Sequence, residues 1–119
     1  METPRIFESE YRFCEILWEN EPVNSTELVR LCAQRLGWKK PTTYTVIRRL
    51  AQRGVLKTEN AVVTSLVSRE EVREAESREF LEKNFGGSLP GFIAAFARRQ
   101  ALTPEEAAEI RRMIDAYAP

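Results

Sequence analysis

Apolar side chains recur at helical spacing from about Glu8 to Glu19. Phe13, Cys14, Ile16, Leu17 and Trp18 form a wide stripe of the kind a helix buries, and Asn20-Glu21-Pro22 ends it. A second helix is predicted from Val23-Asn24-Ser25-Thr26-Glu27-Leu28. Asn24 serves as its cap, Glu27 as the reciprocal capping-box residue, and Val23 with Leu28 as a hydrophobic staple. It runs to about Leu36 and stops at Gly37. After the turn Gly37-Trp38-Lys39-Lys40, a third helix starts near Pro41, where the missing N–H costs nothing, and ends at about Arg53 before Gly54. Val55–Thr58 and Val62–Val67 are β-branched runs separated by Glu59-Asn60-Ala61, which predicts a hairpin. Three helices and a hairpin in this order make a winged helix-turn-helix.

Beyond the hairpin the pattern is helical again. Ser68 with Glu71 is a capping box for a helix to about Asn84 carrying Val72, Phe80 and Leu81. Gly86-Gly87 interrupts, and Ser88 caps a short helix with Leu89, Phe92, Ile93 and Phe96. Thr103-Pro104-Glu105-Glu106 then opens a last helix with Ala107, Ile110, Met113, Ile114 and Tyr117. The expected fold is mostly α with a small β-hairpin: a winged domain over residues 1–67 and a three-helix segment over 68–119. Such a short helical segment buries too little surface alone to be stable. Its apolar residues Phe80, Leu81, Leu89, Phe92, Ile93, Phe96, Ile110, Met113, Ile114 and Tyr117 are therefore expected to pair with a second copy. The other way to cover them is to fold back on the winged domain.

Composition narrows the function. The 119 residues contain no histidine, the commonest general base and metal ligand. No glycine-rich phosphate loop and no nucleophile beside a base are present, so an enzyme is not expected, nor is a cofactor or metal. The two cysteines, Cys14 and Cys32, lie in apolar helical patterns with no zinc or disulfide spacing. They read as small buried hydrophobes, with a thiol switch as the rival reading. No apolar run is long enough to span a bilayer, and Met1 to Phe7 lacks a signal-peptide layout, which points to the cytoplasm.

Net charge is zero, yet its distribution is uneven. Between Glu27 and Glu59 there is no acid, while Arg30, Arg35, Lys39, Lys40, Arg48, Arg49, Arg53 and Lys57 are basic. A phosphate backbone responds to charge within about a Debye length, so such a stretch suits nucleic acid. Projected on a helix, Thr43, Val46, Ile47, Leu50 and Ala51 share one face of the third helix. Thr42, Thr45, Arg48, Arg49 and Gln52 share the other, with Tyr44 at its edge. Arginine can read guanine, glutamine adenine, and threonine a thymine methyl in the major groove of double-stranded DNA. Lys39, Lys40, Arg53 and Lys57 are placed to contact phosphate. A solvated surface, or a winged helix that binds protein instead of duplex, is the competing reading; zero net charge and Glu59 at the wing tip favour it.

Over nearly its whole length the chain resembles the penicillinase and methicillin-resistance repressors, the BlaI/MecI-type family. The resemblance rests on Glu10, Ile16-Leu17-Trp18, Val23-Asn24-Ser25-Thr26-Glu27-Leu28, Trp38 and the run from Thr42 through Thr45, Ile47, Arg49 and Leu50 to Arg53-Gly54. It continues through Phe80-Leu81, Phe85-Gly86-Gly87-Ser88-Leu89 and Phe96. It implies a transcriptional repressor, bound as a homodimer to an inverted-repeat operator, with Trp38, Thr42, Thr45 and Arg49 at the DNA. Trp38 is equally suited to a core or hinge role. In antibiotic-response members a membrane sensor-protease system cuts an Asn-Phe bond, and the matching pair here is Ala95-Phe96. Copper-responsive relatives carry a C-terminal cysteine cluster, and here no cysteine follows Cys32.

Overall fold

The structure is a computed structural model that describes residues 3–118. Its elements are α1 (Glu8–Asn20), β1 (Val23–Asn24), α2 (Ser25–Leu36), α3 (Lys40–Gln52), β2 (Leu56–Glu59), β3 (Val62–Ser65), α4 (Arg69–Phe85), α5 (Leu89–Arg99) and α6 (Pro104–Tyr117). This is a winged helix followed by three helices, mostly α with one small sheet. Among the described residues, no helix is long and apolar enough to cross a membrane.

The chain divides into two compact units, Met1–Ser77 and Arg78–Pro119. The expected boundary after residue 67 falls too early. The reason is the first turn of α4: Val72 is buried in the core of the winged unit, so that turn belongs to it.

In the winged unit, Phe13, Leu17, Leu28, Leu50, Leu56 and Val63 are all fully or almost fully buried. They come from α1, α2, α3 and the sheet, so each amphipathic face closes on the others. Helix ends follow local chemistry. Asn24 accepts a hydrogen bond from the Thr26 N–H at 2.9 Å, and Gly37 ends α2 with φ 70°. The Glu27 carboxylate takes the Arg30 guanidinium in place of the expected capping-box contact. At the wing, Asn60 and Ala61 have φ of 51° and 65°, a two-residue turn tighter than the predicted three-residue link.

The sheet has three strands, ordered β1-β3-β2 and antiparallel, rather than the two of a simple hairpin. Val23, expected to staple α2, also pairs with Val63 in the sheet. The Trp18 indole N–H donates to the Val67 carbonyl at 2.9 Å, and Glu21 accepts the Ser65 N–H at 2.7 Å, which together fasten the hairpin's return strand to α1.

The helical unit is built differently. Ser88 caps α5 through the Gly91 N–H, and Thr103 with Glu106 forms a complete capping box on α6. Phe92 packs its ring against Phe80 and Phe85, with centroids 5.9 and 5.6 Å away. Neither α5 nor α6 contains a buried residue.

Candidate nucleic-acid interface

Helix α3 is anchored by Thr43, Val46, Ile47 and Leu50, which are buried. Ala51, assigned to that face by its projection, is exposed. At 100° per residue it falls about 20° from Tyr44, at the margin of the buried face rather than its centre. The opposite face carries Thr42, Thr45, Arg48, Arg49 and Gln52, all exposed, with Tyr44 half-buried at the margin as its position predicts. A packed core thus holds two hydroxyls, two guanidinium groups and an amide on one solvent-facing ridge.

The Thr45 hydroxyl donates to the Pro41 carbonyl at 2.9 Å, which fixes its rotamer. Its oxygen keeps accepting capacity. Lys39 caps α3 by backbone alone, and Lys40 lies 6.0 Å from the Tyr44 ring centroid. Lys39 and Arg48 have no ion-pair partner among the described residues. These two, Lys40 and Arg49, which stays exposed although its guanidinium lies 3.5 Å from the Glu10 carboxylate, are the cations this ridge offers to a phosphate or a base edge.

Other members of the basic stretch are engaged within the chain. Arg53, expected at phosphate, is paired within the chain. Its guanidinium grips the buried Glu10 carboxylate through two hydrogen bonds of 2.9 and 2.6 Å, and also donates to the Arg5 carbonyl. Burying a carboxylate without a partner is costly, and Arg53 meets that cost. Lys57 lies 3.5 Å from Glu59 on the same face of β2, so the wing presents a neutral pair instead of a bare cation. Arg35 donates to Glu19 at 2.9 Å, and Arg30 pairs with Glu27. Acids before the stretch fold onto it, which its one-dimensional spacing hides. Glu10 did leave a signal, since it precedes Phe13, Cys14 and Leu17 by three, four and seven residues and so lies on the buried face of α1.

Trp38 stacks on Phe13 with the rings 6.0 Å apart and 7° from parallel. Of its two open roles, packing is the one the structure displays: the indole ties the turn before α3 to the core.

Electrostatics reinforce this picture. Hydrogen bonds from Arg53 hold the Glu10 carboxyl below its ordinary value, against the opposing effect of burial. Burial pushes the Cys14 thiol up to about 12 and also raises Cys32. Both thiols therefore stay protonated near neutrality, which argues against the thiol-switch reading.

The fold and the exposed α3 ridge define a winged-helix regulator of the DNA-binding class. The penicillinase repressor family model matches residues 6–116. The chain belongs to that family, one of transcriptional repressors and not of enzymes. Among curated relatives, the penicillinase repressor of Bacillus licheniformis is 22% identical over 118 residues, covering 96% of this chain and 92% of that one. The methicillin resistance regulatory protein MecI of Staphylococcus aureus is 23% identical over 117 residues, covering 95% of each chain. The solution structure of the monomeric form of B. licheniformis BlaI in complex with the blaP half-operator superposes with a TM-score of 0.52 at 22% identity. It covers 60% of this chain and 93% of that one, and supports the winged-helix fold.

Proposed function

We propose that two copies of this chain bind an inverted-repeat operator in double-stranded DNA and repress transcription by occupying the promoter. The observation that carries the reading is the exposed ridge of α3 on a fully packed core, with Lys39 and Lys40 just before its first turn. A B-DNA major groove, about 12 Å wide, admits one such helix. Thr42, Thr45, Arg48, Arg49 and Gln52 are the base-reading set, and Lys39 and Lys40 contact phosphate.

The dimer is supported by the helical unit. Phe80, Leu89, Phe96, Met113, Ile114 and Tyr117 are exposed, and Leu81, Phe92, Ile93 and Ile110 are only half-buried. A second copy covers such a surface and supplies the two-fold symmetry of a palindromic site. A membrane sensor-protease partner is implied by family resemblance alone; Ala95-Phe96 departs from the Asn-Phe bond cut in antibiotic-response members, which weighs against cleavage there, although both side chains are exposed on α5. The chain remaining intact in cells during induction would remove that partner. Repression of this kind places the protein in the cytoplasm with the chromosome.

The testing experiment incubates the purified protein with sheared host genomic DNA and sequences what stays bound. Recovery of a few palindromic promoter sites, with affinity falling steeply as salt rises, is expected. Recovery of scattered fragments or none at moderate salt would overturn the reading. It would favour a protein-binding winged helix, the rival supported by the internal neutralisation of Arg30, Arg35, Arg53 and Lys57.

A further inference from the structure

Among the described residues, Glu10 is the one acidic side chain that is buried, with 3% of its side chain exposed. A carboxylate offers about four lone-pair sites. Oε1 accepts from Arg53 Nη2 and from the Phe7 N–H at 3.0 Å, and Oε2 accepts from Arg53 Nη1. The remaining capacity of Oε2 faces Arg49 Nη2 at 3.5 Å. Arg49, in the last turn of α3, and Arg53, its C-cap residue, are four residues apart, so a single buried carboxylate on α1 meets both guanidinium groups. Arg53 is held at hydrogen-bond distance. Arg49 is held more loosely, by charge, with 55% of its side chain in solvent.

We propose that Glu10 is a positioning residue for DNA recognition: through Oε2 it restrains the Arg49 guanidinium beside α3 in the free protein. The inference rests on the reading of Arg49 as a base-directed side chain. A long arginine loses much rotamer entropy when it is fixed, and binding is tighter when part of it has been lost beforehand. The same restraint limits stray contacts, because a guanidinium held toward a buried anion is less available to any passing phosphate. Glu10 thereby raises the preference for the cognate site over other DNA. Arg48, without an acidic partner, has no such restraint and serves as the internal comparison.

The test uses the full chain and two duplexes: the site recovered by genomic selection and a scrambled duplex of equal length. Glu10→Gln keeps an acceptor for Arg53 and removes the charge that attracts Arg49. The ratio of cognate to scrambled affinity is expected to fall about fivefold, with scrambled binding strengthened. In the Arg49→Ala background, Glu10→Gln is expected to change the ratio no further. A lowered melting temperature with an unchanged ratio would show that Glu10 is merely structural and overturn the proposal. An equal fall in both backgrounds would overturn it too, because the effect would not pass through Arg49. If Arg49→Ala itself leaves cognate binding intact, the base-reading role fails first and the inference goes with it.

A measurement on the unaltered protein guards against a variant that fails to fold. Nuclear magnetic relaxation of the arginine Nε–H groups is expected to show Arg49 more ordered than Arg48 without DNA. Equal mobility of the two would overturn the restraint.

Discussion

The two units solve the same problem, covering apolar side chains, in opposite ways. In the winged unit, residues from α1, α2, α3 and all three strands are buried within one chain. In the helical unit, α5 and α6 are well capped and bear clear apolar stripes, yet no residue on either is buried. Good helix chemistry therefore does not by itself make a core. Caps and periodicity decide that a helix forms, and a facing surface decides what it is worth. The winged unit carries its facing surfaces inside its own sequence. The helical unit leaves its apolar stripes open, and in the proposed dimer a second copy supplies the facing surface.

The largest expected effects test that contrast directly. Phe13→Ala or Leu17→Ala removes a fully buried side chain and should cost about 3–5 kcal/mol, measured by urea unfolding, at any protein concentration. Phe96→Ala or Ile114→Ala removes an exposed side chain of a single copy. Its cost should appear instead as weakened self-association in sedimentation, with a melting temperature that depends on concentration. Equal, concentration-independent losses in both units would break the comparison.

Next in size is Arg53→Ala, which strands the Glu10 carboxylate. A fully buried broken pair costs about 3–5 kcal/mol. Because 30% of the Arg53 side chain is exposed, a smaller loss of about 2–3 kcal/mol is expected. The pH dependence gives a second readout. Folding lowers the Glu10 value below 4.5, chiefly through Arg53, so the unfolded chain takes up the proton first as pH falls. This contribution is complete above that ordinary value and is lost as pH drops through the folded one. Arg53→Ala should remove this acid limb from the stability profile, and its persistence would contradict the pairing.

On the α3 ridge the expected effects are smaller and fall on binding instead of stability. Arg49→Ala should cost about 1–3 kcal/mol at the cognate site. Lys40→Ala should weaken binding to all sequences alike and reduce the slope against salt by about one. Loss confined to one operator base pair for Lys40, or no loss for Arg49, would reverse the division into positioning and reading contacts.

What the sequence made legible follows the same line between local and distant. Caps at Asn24, Ser68, Ser88 and Thr103, the stop at Gly37 and the polar ridge of α3 are written within a few residues, and all stand in the structure. The features that escaped are distant pairings. Val23 joins the sheet through Val63, and Arg53 pairs with Glu10, 43 residues away in sequence. Similarly, Arg35 looked free until Glu19 was folded against it. An acid-free stretch of sequence is not an acid-free surface. Val72 shows the same thing for the domain boundary: its cap is local, but its burial depends on the whole winged core.

The smallest effects sharpen the comparison most finely, because they apply one chemical change to both units. Asn24→Ala and Thr103→Ala each remove an N-cap side chain that accepts a backbone N–H, a loss of about 1 kcal/mol. At α2 that loss enters a helix already packed in a closed core, so it should lower the global unfolding free energy by the full amount and leave association unchanged. At α6 the helix has no buried residue in the single chain, so the cap stabilises the state that is ready to pair. Thr103→Ala should therefore lower helicity of the dilute protein and weaken self-association about fivefold, the equivalent of that same loss. If Thr103→Ala instead lowered stability independently of concentration, as Asn24→Ala is expected to do, α6 would be packed within its own chain and the description of its stripe as open would fail.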